Sequence, residues 1–565
     1  MLDHMLRQHR RSISINNEQN EKKYFTLLAA LFLLGIATVF IALFFQYTVD
    51  DAYITFRHSS NLLFNGNLSW NIRGAREEAF TNPLYVFLGI FGLIFNVKPE
   101  LPIKILSLLV IFFWYYRIAN ICRPLNTKKI LFVSFLFFCF PPLYVHAFSG
   151  LETILFAYSV FEFIASKNTN LLKDLAISSL ALSCRPEGIL FFAFNLISRT
   201  LPSSCLKGSP LSSKKQSKAS TESAVKNFFY LVILVAVCTI YIFKFYWFAD
   251  ILPNTFYAKS SKTINGSLLI TNLISFLPWA TLLFLASTNL RVTPLIKSKL
   301  IVILIITSLY LKSSLAMNYL DRFWFQIYFP LIVYFFAVNI RILSPLTFLK
   351  VNVFRVKSYV SKICSIKIDK KIPVFGTLVL IFYSTASVLG SPSEYLHISV
   401  NFGRSIRSHY ALGKSFNQIL PPSSTIMAGD VGLIGFYANR LMYDLNGLGT
   451  RLIATKGITQ QTISKLNPEV LVLYGHGCGL DVDYRHRVEL NFANNNNLKH
   501  VACFSYAAKE SSHVYISKKL LDQIDVQPLV IASKDSRINK RSSLTGIIDD
   551  LNTSYSYLFS KMSRP

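Results

Sequence analysis

Long apolar runs recur along this chain from residue 24 to about residue 389, separated by short polar breaks. No other feature limits the fold as strongly, because a run that fills a bilayer must satisfy its backbone internally, as a helix. Composition agrees: 52% of the 565 residues are hydrophobic and 14% are aromatic. The chain therefore reads as a polytopic α-helical membrane protein. The expected spans are 24–47, 103–121, 130–146, 151–166, 171–184, 187–201, 228–248, 267–287, 299–316, 323–340 and 373–389. The first follows Arg10, Arg11, Lys22 and Lys23 and is too long for a signal-peptide core, so it is expected to stay as an anchor.

The formal charge of +29 would suggest nucleic acid in a soluble protein. Here the basic residues gather in short loops between apolar runs, with no basic stripe carrying interleaved aromatics, so no nucleic-acid partner is expected. Charge also fixes the topology. The apolar piece 84–95 is short for a span. If it crossed, the loops carrying Arg123, Lys128 and Lys129, then Lys214, Lys215 and Lys218, then Lys370 and Lys371, would all lie outside. Lying flat on the outer surface, it leaves them inside. The expectation is about eleven spans, with the number within 151–201 open by a pair. Residues 1–23 are cytoplasmic, 24–389 form the membrane domain with a first outer loop at 48–102, and 390–565 lie outside. That is a multi-pass plasma (inner) membrane protein with an extracytoplasmic C-terminal domain.

Residues 390–565 turn polar. Segments 425–428, 441–443, 470–474 and 513–516 read as strands and 460–466 as a helix, which makes a small α/β domain. Gly429-Asp430-Val431-Gly432-Leu433-Ile434-Gly435 lacks dinucleotide-binding spacing and reads as a turn. The tail beyond Lys518 reads as mobile, and 202–226, rich in Ser and Lys, as a cytoplasmic linker. Cys478 and Cys503 both fall on the side where a disulfide is permitted.

Asp50 and Asp51 stand together at the outer end of the first span. Paired carboxylates at a membrane lip are costly to place and point to chemistry there. Neighbours on a helix diverge by about 100°, so one acid faces a substrate and the other orients it. The same topology puts Thr81-Asn82, Glu152, Arg185 with Glu187, Asn254, Tyr257, Lys259 and Arg322 on the outer side. Each also has a plain structural reading. Glu152 can cap a helix, Arg185 can pair with Glu187, Lys259 and Arg322 can snorkel, and Asn254 and Tyr257 can anchor at the interface. His58 reads as an exposed loop histidine. No metalloprotease, Walker or nucleophile-elbow motif is present.

Asp50-Asp51-Ala52-Tyr53-Ile54-Thr55-Phe56-Arg57, with Trp70-Asn71 and Glu77-Glu78-Ala79-Phe80-Thr81-Asn82-Pro83-Leu84, resembles the GT-C superfamily of membrane glycosyltransferases. Within it the chain looks most like relatives of the terminal β-arabinofuranosyltransferase of cell-wall arabinan. Ala79 stands where those relatives usually carry glycine. The likeness continues through Gly150-Leu151-Glu152-Thr153, Arg185-Pro186-Glu187-Gly188, Pro253 to Lys259, Arg322-Phe323, Asp430-Val431-Gly432 and Asp444 to Leu448.

The resemblance implies a GT-C fold and transfer of a sugar from a polyprenyl-phosphate donor to an acceptor glycan hydroxyl, with inversion. It makes Asp50 the base and Asp51 its partner. Arg57, Glu78, Asn82, Glu152, Arg185, Glu187, Asn254, Tyr257, Lys259 and Arg322 become candidates for binding substrate, with Arg185, Lys259 and Arg322 for the phosphate. A lone phosphate linkage does not demand a divalent cation, and one held by Asp50 and Asp51 is left open. The rival classes are a transporter or flippase of lipid-linked sugars, which predicts acids at the bilayer midplane, and a non-catalytic glycan-binding protein.

Overall fold

Four helices among the described residues are long and apolar enough to cross a membrane: Thr26–Phe44, Glu100–Cys122, Gly266–Ser287 and Pro294–Lys312. A fifth span results if Lys129–Phe138 and Pro141–Phe148, bent by 49° at their junction, count as one. Pro141 and Pro142 open the second half, where a missing N–H costs nothing, so the expected run 130–146 is broken there. The computed structural model describes residues 26–122, 127–200, 241–259, 266–287, 292–315, 318–338, 382–391, 403–478, 484–507 and 510–535, with isolated residues between them. Expected spans 228–248 and 373–389 lie partly, and linker 202–226 wholly, outside the described residues. The expected spans 151–166, 171–184, 187–201 and 323–340 correspond to shorter helices, Thr153–Ala165, Leu171–Cys184, Ile189–Thr200 and Arg322–Val338. Eleven spans are thus not reached among the described residues.

The chain divides into two units. One comprises Met1–Gln46, Lys104–Ser220 and Thr263–Ser391, and the other Tyr47–Ile103, Thr221–Lys262 and Pro392–Pro565. Inside the first, Trp114 is fully buried against Phe137, Phe161 and Phe329. Several of its buried charges are matched. Glu162 takes Arg117 at 2.6 Å and Lys173 at 2.7 Å. Lys299 donates to the carbonyls of Phe163 and Ser166, at 2.7 and 2.6 Å, satisfying groups that end Thr153–Ala165.

The second unit contains helices α1 (Asp50–Asn65), α2 (Pro83–Ile94), α3 (Asn254–Lys259) and α4 (Gly403–Ile419). Then come β1 (Thr425–Ala428), α5 (Val431–Ala438), β2 (Leu441–Asp444), α6 (Arg451–Lys456), α7 (Gln460–Leu466) and β3 (Val470–Gly475). It closes with α8 (Arg487–Asn495), β4 (Leu498–Ala507), β5 (Glu510–Ser517), α9 (Lys518–Leu521) and α10 (Gln527–Asp535). The sheet order is β2-β1-β3-β5-β4, with parallel pairing of β1 to β2 and β3, and antiparallel pairing of β5 to β3 and β4. Sequence reading missed β4. Two irregularities in its register, at His500/Ala502 and Ser505/Ala507, break the alternation that marks a strand. A disulfide joins Cys478 to Cys503 on β4. The segment expected to be mobile continues as α9 and α10, with Leu520 and Leu529 buried.

The glycine-rich segment expected to turn is mostly helix α5. Its glycines serve close approach rather than unusual backbone angles. A Cβ on Gly432 would lie 1.9 Å from the backbone oxygen of Asp50, and one on Gly435 would lie 3.2 Å from Nη1 of Arg57. Segment 84–95 is the helix α2. It buries Tyr85, Val86, Gly89 and Gly92 and leaves Phe87, Phe91 and Ile94 exposed, the face an interfacial helix requires.

Arg57 ties α1 to the sheet. Its Nε donates to Trp70 O at 2.8 Å, and its Nη2 to Asn71 Oδ1 at 3.0 Å and Arg440 O at 2.6 Å, while Nη1 donates to Gly435 O. Asn71 in turn bonds both the N–H and the carbonyl of Met442, acting as an extra partner on the edge strand β2. Arg57→Ala is expected to destabilise the protein by about 3 kcal/mol or more, because it strands several buried acceptors. Arg57→Lys should recover only part, since a point donor cannot span the fork. Thermal unfolding of the full chain in detergent reads both; an unchanged midpoint for Arg57→Ala would contradict this role.

Candidate active site

The acid pair begins helix α1, where carboxylates suit the positive end of the backbone dipole. Asp50 also reaches a second helix head. Its Oδ2 accepts from Gly432 N at 2.7 Å and its Oδ1 from Leu433 N at 2.9 Å, at the start of α5. Asp430, the residue before α5, lies across a buried histidine. His409 places Nδ1 3.8 Å from Asp50 Oδ1 and Nε2 3.8 Å from Asp430 Oδ2. Burial disfavours charge on His409, but the neighbouring carboxylates of Asp50 and Asp430 outweigh it and hold the ring toward protonation. Asp430 is held above the ordinary aspartate range by its crowded surroundings, with His409 opposing and Asp50 and Asp51 adding. Burial is the largest cause, moderated by solvent because the side chain keeps 45% of its surface open.

Asp444 on β2 is fully buried and organises the following loop: Oδ1 accepts from Asn446 N at 2.7 Å and Oδ2 from Gly449 N at 2.9 Å. Asn82 is buried and accepts from the Thr55 hydroxyl at 3.0 Å, fixing the entry to α2. His58 is not exposed. It is wholly buried, with Nδ1 2.9 Å from Ile54 O and Nε2 3.3 Å from Glu77 O, and burial pushes it down to about 4. Its side chain spaces α1 from the 77–80 segment.

A second polar group gathers around α3. Glu78 is buried, with Oε1 3.0 Å from Lys244 Nζ. Asn254 donates its backbone N–H to Glu78 O at 3.0 Å. The Tyr257 hydroxyl donates to Asp250 at 3.0 Å, Asp250 pairs with Arg451, and the Arg451 guanidinium lies 3.4 Å from the centre of the Tyr257 ring. Lys259 is half-buried at the end of α3.

The remaining expected site residues belong to the first unit. Arg185 is extended, as the residue before Pro186 should be. Its guanidinium is clamped by Glu152 at 2.8 Å and Glu187 at 3.3 Å, so both acids are spent on it. Arg322 differs. It is 4% exposed, touches the rings of Tyr319 and Phe323, and its Nε and Nη1 have no hydrogen-bond partner among the described residues. Leu320 and Asp321, just before it, hold φ of 45° and 52°, a conformation that costs a non-glycine residue about 1 kcal/mol or more. Among the described residues no three His, Cys, Asp or Glu side chains converge as metal ligands. Sequence reading did not single out His409, Lys244, Asp250 or Arg451 as site residues. Asp250 and Arg451 stand close to the Pro253–Lys259 and Asp444–Leu448 segments, but they pair with each other across some 200 residues, which only folding reveals.

Residues 400–516 match a family described as "Domain of unknown function (DUF8728)". No curated protein matches the chain. The fold is similar to the crystal structure of ArnT from Cupriavidus metallidurans in the apo state, at 14% identity and a TM-score of 0.45, covering 87% of this chain and 97% of that one. It is similar also to ArnT from the same organism bound to undecaprenyl phosphate, at 14% identity and a TM-score of 0.46, covering 86% and 97%.

Burial lifts Glu77, Glu78 and Asp444 each to about 7. Each keeps its proton in the fold while the unfolded chain releases it near pH 4, so these groups lower stability as pH rises through about 4 to 7. His58 works in the opposite sense, favouring the fold as pH rises from about 4 to 6.5. Glu78→Gln isolates one contribution. Its melting temperature should rise relative to the wild type as pH goes from about 4 to 7, by the equivalent of at most about 3 kcal/mol. A difference that stays constant with pH would contradict the shift.

Proposed function

We propose that the chain is a membrane glycosyltransferase of the GT-C type. It moves a sugar, arabinofuranose in the narrowest form of the reading, from a polyprenyl-phosphate donor to a hydroxyl of an acceptor glycan on the outer face of the membrane. The observation that carries the reading is the carboxylate group at the head of α5, with Asp50 held by two backbone N–H groups and Asp430 and His409 beside it. The motif that begins at Asp50-Asp51 is also where the chain resembles that superfamily most specifically.

In this mechanism Asp50 is the base. Each of its oxygens keeps a further lone-pair position while the N–H groups fix its orientation, and a fixed base loses little freedom on reaching the transition state. The acceptor oxygen bonds to the anomeric carbon as the bond from that carbon to the phosphate oxygen breaks. The hydroxyl proton passes to Asp50, and the phosphate leaves on the polyprenyl chain. Attack from the opposite side inverts the centre. Asp51 orients the acceptor, and His409, held toward its charged form, moderates the negative field of the three acids. Taken by itself within the first unit, Arg322 has the chemistry to bind an anion: a buried guanidinium with two nitrogens unpartnered among the described residues.

The test is transfer by the purified full chain in detergent, with a panel of polyprenyl-phosphate sugars and a glycan acceptor. Asp50→Asn should lower turnover by about 10²- to 10⁴-fold while donor binding and the melting temperature persist. Arg322→Ala should weaken binding of bare polyprenyl phosphate by about tenfold or more. Equal turnover with Asp50→Asn removes Asp50 as the base, and no transfer with any donor removes the reading.

A further inference from the structure

The disulfide between Cys478 and Cys503 lies against a pair of histidines. Cys478 follows β3 and is exposed, while Cys503 on β4 is 6% exposed. Opposite Cys503 on β5 stands the buried His513. Its Nε2 is 3.9 Å from the Cys503 sulfur, 3.2 Å from Ser511 Oγ and 3.0 Å from Gly477 O. A carbonyl only accepts, so Nε2 carries the ring proton. Nδ1 is then bare and accepts from Nε2 of His500, 3.1 Å away, and His500 is exposed. Burial holds both rings below the ordinary histidine range, which keeps them neutral at pH 7. The N–H groups of the two rings therefore point one way, from the surface toward the sulfur.

The cysteines do not depend on their own bond for position. Ser511 Oγ accepts from Gly477 N at 3.1 Å and donates to Gly477 O at 2.8 Å. Strand β3 pairs with β5 through Gly475 and Ser511, and β4 pairs with β5 through Cys503 and His513. Both cysteine segments are tied to β5 by bonds that survive reduction.

We propose that Cys478–Cys503 is a site of reversible thiol–disulfide exchange with a dithiol, in which His500 and His513 deliver a proton to Cys503. A thiolate of the dithiol attacks the sulfur of Cys478, the exposed partner. A mixed disulfide forms there as the Cys478–Cys503 bond breaks, and the electron pair leaves on Cys503. That sulfur takes the Nε2 proton of His513. His513 Nδ1 takes the Nε2 proton of His500, and His500 Nδ1 takes one from water. A leaving thiolate that is neutralised as it forms departs faster. The second thiolate of the dithiol then attacks its own mixed disulfide and releases Cys478, which takes a solvent proton. The dithiol is oxidised to its disulfide and the protein bond is reduced, with two electrons passed. Because β5 keeps the cysteine segments together, a disulfide oxidant reverses the sequence. The proposal does not rest on the glycosyltransferase reading.

The test is the rate at which dithiothreitol opens this bond in the folded full chain in detergent, read by alkylation of Cys478 and Cys503 and mass spectrometry. The decisive variant is His500→Phe, an exposed change that keeps a ring beside Tyr515 and removes the outer proton donor. His513→Gln accompanies it, because its amide still donates to Gly477 O but passes no proton on. In the wild type, opening should be proportional to dithiothreitol concentration well below the melting temperature, and glutathione disulfide should restore the bond. Each variant should slow opening by about three- to tenfold at the same pH, and the double variant should be no slower than the slower single one, since all interrupt one chain. The proposal is overturned by a bond that opens only as fast as the whole chain unfolds, by equal rates in wild type and variants, or by a reduced chain that glutathione disulfide does not close.

Discussion

The grip of α1 on α5 is the contact on which the second unit depends. Asp50 and Arg57 stand seven positions apart, two turns along one face of α1, which is about 10 Å. Helix α5 has eight residues and is about as long. The acid meets the amide end of α5, and the guanidinium meets the carbonyls of Gly435 and Arg440 toward and beyond its other end. Opposite charges therefore sit where the dipole of α5 favours them. Glycine at 432 and 435 lets the helices come this close. A loop segment some 380 residues distant in sequence is thereby made part of the C-terminal fold.

That grip also explains why the acids lie where they do. Asp430 lies between β1 and α5, so the contact that seats Asp50 brings the second acid within reach of the same histidine. Trp70 and Asn71 extend the contact to β2, where the indole N–H and the amide of Asn71 both bond Met442 O at 2.9 and 3.0 Å. Gly449 packs against the same indole. A scaffold that fixes carboxylates through backbone N–H groups holds them without long flexible partners, and a site that must keep its geometry needs that property.

Buried charge is largely paired in each unit. In the first, Glu152 and Glu187 are consumed by Arg185, and Glu162 by Arg117 and Lys173, as low-polarity surroundings demand. Arg322 stands outside that pattern, beside two residues in a strained backbone conformation. In the second, Glu78 pairs with Lys244 and Asp250 with Arg451.

Much was legible in the sequence. The long apolar runs, strands β1, β2, β3 and β5, helix α7 and the short helix at 83–94 follow from local periodicity, proline placement and residue chemistry, all of which act within one turn or one strand. The acid pair and the residues of α3 stand out as polar groups in unusual places. The roles of these residues were less legible. Arg57 becomes a brace, His58 a buried spacer, Arg185 a paired cation, and the glycine-rich segment a helix, because each outcome depends on what lies opposite. His409, Asp250 and Arg451 carried no local signal. Sequence alone determined which elements form and which residues are chemically able to act. Tertiary structure decided which of them are already satisfied by neighbours and which still need a partner, because hydrogen bonding and desolvation are settled only when distant segments close on one another.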